Sequence, residues 1–385
     1  MKIKNRKIKN ILLVSCFILL LVFSCRKDEL VTQAETIDLQ AGDSLSAVTG
    51  FFLLNEGNMG SNKASLDYFS YTTGQYRRNI YAEKNPTVVK ELGDVGNDLK
   101  IYGNKLYAVI NCSNKVEVMS VSDTARRITK IDIPNCRYIS FHKGKAYISS
   151  YVSPVEINPD AERGSVTEID TASLQILRSV QVGYQPEEMA VANGKLYVAN
   201  SGGYVFPNYD NTISVIDLHT FTVANTIEVA INLHRMKADA YGDLYVSSRG
   251  DNENIPSNLY VIDTKTDLVR KALNIPASNL AICGDSLYVS GGWNRYTPNA
   301  DISYAIVNVR TEEVVSHAFI TDGTEQYIDI PYGIAVNPQT REIFVTDAKD
   351  YITPGTLYCF TPDGKKKWSV MTGDIPAHIV FTGTK

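Results

Sequence analysis

Histidine is scarce in this chain. Five occur in 385 residues, His142, His219, His234, His317 and His378, and no two are spaced as zinc ligands. No G-x-S-x-G elbow and no P-loop is present, so the common nucleophile and nucleotide-phosphate motifs are excluded. Basic residues do not predominate, with 38 Lys and Arg against 42 Asp and Glu, a net charge of −4. No basic stripe is available to neutralise phosphates, which argues against a nucleic-acid partner. No apolar run reaches the roughly 20 residues of a membrane-spanning helix. Helical periodicity is also missing beyond residue 50. What the chain has in plenty is tyrosine, 23 in all, a residue suited both to strands and to rigid contact surfaces.

The longest apolar run, residues 11–23, follows a leader carrying Lys2, Lys4, Arg6, Lys7 and Lys9. That layout predicts a secretory signal over residues 1–24. Its end, Val22-Phe23-Ser24-Cys25, resembles a bacterial lipobox. The resemblance implies cleavage before Cys25 and its lipidation, with the membrane reached through the acyl chains alone. Lys27-Asp28-Glu29 resembles the export signal of Bacteroidetes surface lipoproteins, which implies display on the outer membrane. Residues 25–48 are expected to form the lipidated Cys and a flexible tether. Losing five positive charges from −4 takes the mature chain to about −9.

Residues 49–385 are repetitive. A turn followed by an apolar-aromatic strand recurs seven times: 51-FFLLNEG, 104-NKLYAVIN, 144-GKAYISSY, 194-GKLYVANS, 242-GDLYVSSR, 285-DSLYVSGG and 341-REIFVTDA. Each is followed by a loop and a second strand, and most units show two further short strands. Four strands per unit at a period of about 40 to 56 residues is the signature of a β-propeller. The predicted fold is all-β, with seven blades. The chain begins within a blade and ends on a spare strand, 378-HIVFTG. That strand is expected to complete the N-terminal blade, because an open edge would invite aggregation.

In such a blade the loops after the marker strand and the loops between blades share one face. Here the marker loops are long, and the opposite turns are short. Function gathers on long loops over a rigid scaffold. Tyr151, Tyr204, Phe206, Tyr209, Trp293, Tyr296 and Tyr351 fall on these loops, and the inter-blade loops add His234, Arg235 and Tyr332. Asn55, Glu56, Asn111, Arg249 and Asp347 lie at the ends of marker strands and are candidates for the mouth of the tunnel. Together these form the predicted ligand-binding set, an aromatic concavity with amides and charges. No catalytic residue, metal site or cofactor is predicted. Cys112 and Cys136 open onto the same face of neighbouring blades in an oxidising compartment and are expected to pair. Cys283 and Cys359 are expected to be free and buried.

Tyr197-Val198-Ala199-Asn200 and the repeated Val-Ile-Asp (215–217, 261–263) resemble YVTN-type extracellular propellers. With Cys25, Lys27-Asp28-Glu29 and the opening FLLNEGNMG (52–60), the chain resembles the surface propellers of Bacteroidetes that capture vitamin B12. That resemblance implies a cobalamin or related corrinoid ligand and a TonB-dependent outer-membrane transporter as partner. The opening segment also occurs in propellers of unknown ligand. Glycan binding and a metal-dependent tunnel-type lactonase or hydrolase therefore stay open as alternatives.

Overall fold

A computed structural model describes residues 34–39, 47–88, 91–251, 253–292 and 302–383. Cys25 and Lys27-Asp28-Glu29 lie outside the described residues. From Ala34 onward the chain forms one compact unit built of seven antiparallel sheets. Contacts between successive inner strands run right round the ring, and the C-terminal strand touches the inner strand of blade two. The expected seven-bladed propeller is the fold.

The marker segments are the second strands of their blades. Lys105–Ile110, Lys195–Asn200 and Asp243–Ser248 are buried except at their first residue, as a short continuous apolar run predicts for a strand covered on both faces. The outer strands, such as Ile176–Gln181 and Thr222–Glu228, are largely exposed. The turns joining inner to second strands are tight. Lys143-Gly144 and Asn193-Gly194 both have two consecutive positive φ angles, the conformation of hairpin turns that match strand twist.

Closure follows the expected route. Pro376–Thr382 pairs antiparallel with Gly50–Asn55, from Gly50 opposite Thr382 to Asn55 opposite Pro376. Phe51, Phe69, Phe344, Trp368 and Phe381 pack edge-on or tilted across this junction, with ring centroids 5.2–6.1 Å apart. Gly333 lies so close to the final strand that a Cβ there would meet the Ala377 carbonyl oxygen at 2.1 Å.

Two features depart from the sequence reading. Residues 34–39 are not free tether. Thr36–Asp38 adds a fifth strand to blade one, pairing with Gln75–Arg77. Ile37 and Leu39 pack on the closure core, which repays ordering this short alternating segment. A five-residue helix, Ile80–Lys84, follows the blade's last strand, with Ile80 and Tyr81 buried.

Candidate ligand-binding face and central tunnel

The inner strands begin at the long-loop face, and there their pairing is interrupted. Register shifts occur at Gly96/Asp98, Pro186/Met189, Leu233/Met236 and Pro331/Ile334, and at equivalent points in blades three and one. A bulge re-aims side chains and frees backbone groups. The freed amides are satisfied locally. Tyr138 and Arg235 donate N–H to the hydroxyls of Ser149 and Ser247 at 3.1 and 3.0 Å, and Gly333 to Thr346 at 2.6 Å. The bulges release Asn97, Arg137-Tyr138, Glu187-Glu188, His234-Arg235 and Tyr332 near the axis of the ring.

These side chains form one network. Arg137 donates through Nε and Nη2 to Glu187 Oε2 at 3.2 and 2.9 Å. Arg249 and the Tyr151 hydroxyl donate to Glu187 Oε1 at 3.1 and 2.6 Å. Burial opposes ionisation of Glu187, but the two guanidiniums outweigh it and hold its carboxyl below the usual range. Across the opening, His234 Nε2 lies 3.0 Å from the Tyr138 hydroxyl. Burial and the cations Arg249, Arg235 and Arg137 push His234 well below the ordinary imidazole value, so it is neutral at pH 7. On the opposite wall, Tyr332 donates to Glu56 Oε2 at 2.7 Å, and His378 Nε2 lies 3.1 Å from Glu56 Oε1. Deeper, Glu188 binds Lys237 and accepts the Met236 N–H at 3.0 Å, and Asp98 accepts the Ile139 N–H at 3.1 Å.

The predicted residues divide into three groups. Glu56 and Arg249, expected at the tunnel mouth, join the network there, and so do Tyr151, His234, Arg235 and Tyr332, expected on the loop face. Tyr204 stacks edge-on against Tyr151 at 6.3 Å, and Tyr351 against Tyr332 at 5.8 Å. Phe206 is exposed and packs on Tyr209. Tyr209 lines a separate cleft of about 520 Å³ at the blade four loop, with Tyr184, Arg163 and Asp210. Asn55, Asn111 and Asp347, by contrast, belong to the scaffold. They are fully buried. Asn111 clamps the Cys136 carbonyl at 3.0 Å, Asn55 holds Ser65 and Asp67, and Asp347 accepts the Ile330 and Lys349 amides, both at 2.9 Å. Trp293 and Tyr296 lie outside the described residues.

The Cys112–Cys136 disulfide is absent; both thiols are free. Cys136 turns away from the loop face into the core between blades two and three, where it approaches the Lys115 carbonyl at 3.3 Å and burial pushes its thiol up to about 12. Cys112 remains partly exposed near Arg137 and Asp94. Cys283 and Cys359 are free and buried, as expected.

Sequence reasoning missed Asp98, Lys100, Arg137, Tyr138, Glu187, Glu188, Lys237 and His378. The available signal was the run of charged or aromatic residues where each inner strand starts: Asn97-Asp98, Arg137-Tyr138, Glu187-Glu188 and His234-Arg235. The loops that follow the marker strands add exposed apolar side chains to this polar floor: Met59, Ile157, Phe206, Ile255 and Ile352.

A family model described as a domain of unknown function, DUF5074, matches residues 49–381. No curated protein matches the chain. Among solved structures, it is similar to a hypothetical selenium-binding protein from Sulfolobus tokodaii (11% identity, TM-score 0.63, covering 87% of this chain and 94% of that one). It is also similar to a quinonprotein alcohol dehydrogenase-like protein from Bacteroides thetaiotaomicron (13%, 0.57, 88% and 79%) and to Kuenenia stuttgartiensis hydrazine synthase (15%, 0.54, 70% and 77%). At these identities the likeness is one of fold.

Proposed function

The chain belongs to the DUF5074 family, a domain of unknown function, and from the site it carries we propose that it is a surface capture protein rather than an enzyme. Held at the outer membrane through lipidated Cys25, it takes a large, amide-bearing nutrient on its long-loop face. Cobalamin or a related corrinoid is the first candidate, passed on to a TonB-dependent outer-membrane transporter. The observation that carries this reading is the exposed apolar side chains on the long loops of the face that holds a polar tunnel mouth. A broad ligand needs apolar contact to exclude water and a partner for every amide it desolvates. Tyr204, Tyr351 and the polar floor supply the second, and the apolar loop residues supply the first. The resemblance of the opening FLLNEGNMG to corrinoid-capturing propellers supports a corrinoid as the first ligand to test, although the segment also occurs in propellers of unknown ligand. A tunnel-type hydrolase is less well supported. Glu56, Glu187 and Glu188 are each engaged by phenols, imidazole or cations, which leaves no free carboxylate base among them.

Isothermal titration of the mature chain with cyanocobalamin tests the proposal. A saturable heat, weakened at least tenfold by Tyr204→Ala with Phe206→Ala, is expected. No heat with any corrinoid overturns the ligand. Replacing Cys25 with Ser is expected to release the protein from the membrane fraction.

A further inference from the structure

Among the described residues the tunnel wall carries five cations and four carboxylates, and four of the cations are engaged by carboxylates. Arg137 and Arg249 share Glu187. Lys237 binds Glu188. Lys100 lies 3.6 Å from Asp98 and 3.8 Å from Glu188. The remaining carboxylate, Glu56, is taken by Tyr332 and His378.

Arg235 is left over. It is only 5% exposed, and its Nε is enclosed without a hydrogen-bond partner. Among the described residues its guanidinium makes no hydrogen bond or ion pair, and its carbon lies 5.2 Å from the centroid of the Tyr138 ring. The bulge at Leu233/Met236 places it at the tunnel, and groups from several blades, Tyr138, Glu188, Glu56 and Tyr332, act on its charge. Burial disfavours that charge, but these neighbours more than offset it and hold the group protonated. A buried guanidinium with idle donors is costly, and folded chains pair such groups. Its planar fork matches the two oxygens of a carboxylate or phosphate.

We propose that Arg235 is an oxyanion receptor at the floor of the tunnel, taking one carboxylate or phosphate group. The site balances the excess positive charge of the wall with a single anionic group. It stands whether or not the loop face holds a corrinoid, and its test contains no corrinoid.

The mature chain, Arg235→Met and Arg235→Lys are titrated at low ionic strength with sodium phosphate, sodium acetate and sodium chloride, by calorimetry and by thermal unfolding. Phosphate or acetate is expected to bind once per wild-type chain and raise its Tm. The tighter of the two identifies the class of oxyanion. R235M is expected to bind at least tenfold more weakly, and to lose the rise in Tm that the oxyanion gives wild type, each chain being compared with itself in anion-free buffer. R235K, which keeps the charge without the fork, is expected between the two and carries the comparison if R235M does not fold. Three results overturn the proposal: no saturable binding of either oxyanion to wild type, undiminished binding to R235M and R235K, or chloride binding as tightly as both oxyanions.

Discussion

Replacing Glu187 with Gln tests whether the tunnel mouth is held by electrostatics. Glu187 is fully buried and receives Arg137, Arg249 and Tyr151 through four bonds of 2.6–3.2 Å. Glutamine keeps the volume but removes the charge that two partly buried guanidiniums face, Arg137 at 13% and Arg249 at 34% exposure. Breaking a buried pair by removing one partner costs about 3–5 kcal/mol, mostly because the other charge is stranded. For a propeller of about 335 residues, an unfolding entropy of roughly 2.1 cal/mol/K per residue gives about 0.7 kcal/mol/K, so Tm falls by about 4–7 °C. Adding Arg137→Met to the variant removes one stranded cation, and the pair is expected to be more stable than the sum of the single losses. Calorimetric unfolding of wild type, both single variants and the double variant measures this. An E187Q chain within about 1 kcal/mol of wild type, or strict additivity in the cycle, refutes the reasoning.

Acid should loosen the deeper layer. Burial penalises the Glu188 carboxylate, but Lys237, Lys100 and Arg235 draw its pKa down to about 2. Against an unfolded value of roughly 4.3, this contributes about 3 kcal/mol above that pH, lost as pH falls toward 2. Urea midpoints from pH 6 to 2.5 are expected to fall, and less steeply for Glu188→Gln; equal slopes contradict the assignment. Alkylation of the folded mature chain is expected to modify Cys112 first and to reach Cys136, Cys283 and Cys359 only after unfolding, as read by intact mass. Protection of both Cys112 and Cys136 until reductant is added restores the disulfide. Ending the chain at Asp374 strips the inner of two strand partners from Gly50–Asn55 and exposes Phe51 and Phe344. Such a chain is expected in the insoluble fraction, and a soluble monomer with native near-ultraviolet dichroism contradicts closure as the source of integrity.

The blades were legible because each marker strand obeys local rules. A turn with positive φ, Asn193-Gly194 for instance, precedes Leu196-Tyr197-Val198, which is buried on both faces, and both features can be read from neighbours in sequence. Closure was legible for the same reason, as one strand too few at the start and one too many at the end. The tunnel was legible only in part. Arg235, Arg249 and Tyr332 were found because they read as loop residues, where an aromatic or a charge is conspicuous, although Arg235 and Tyr332 are in fact at the starts of the inner strands Leu233–Ala238 and Pro331–Val336. Glu187 and Arg137 were missed because they lie inside inner strands, where period-2 alternation assigns a residue to one of two sheet faces and a bulge breaks that count. Asn55, Asn111 and Asp347 failed the other way. An amide or acid ending a buried strand looks like a ligand contact, yet the backbone groups freed where blades join need the same chemistry. The Cys112–Cys136 expectation placed both residues on the right face and blades, but one register step decides whether a thiol points outward or inward.

The axis of the ring is the one place in this fold where seven strand starts meet without a hydrophobic core between them. An apolar filling there would be stable and inert. This chain instead places Asp98, Arg137, Glu187, Glu188, His234, Arg235 and Tyr332 at those starts, and most of them are bound to one another across blades. Reciprocal pairing accounts for the acids, which are all engaged, and for four cations. It fixes Tyr151 and Tyr332 beneath the loop aromatics Tyr204 and Tyr351, so the upper surface inherits its shape from the charged layer below. Pairing does not account for Arg235, whose Nε is enclosed without a hydrogen-bond partner. A fold that satisfies its other tunnel charges and leaves this one idle is holding it for a group that arrives from outside.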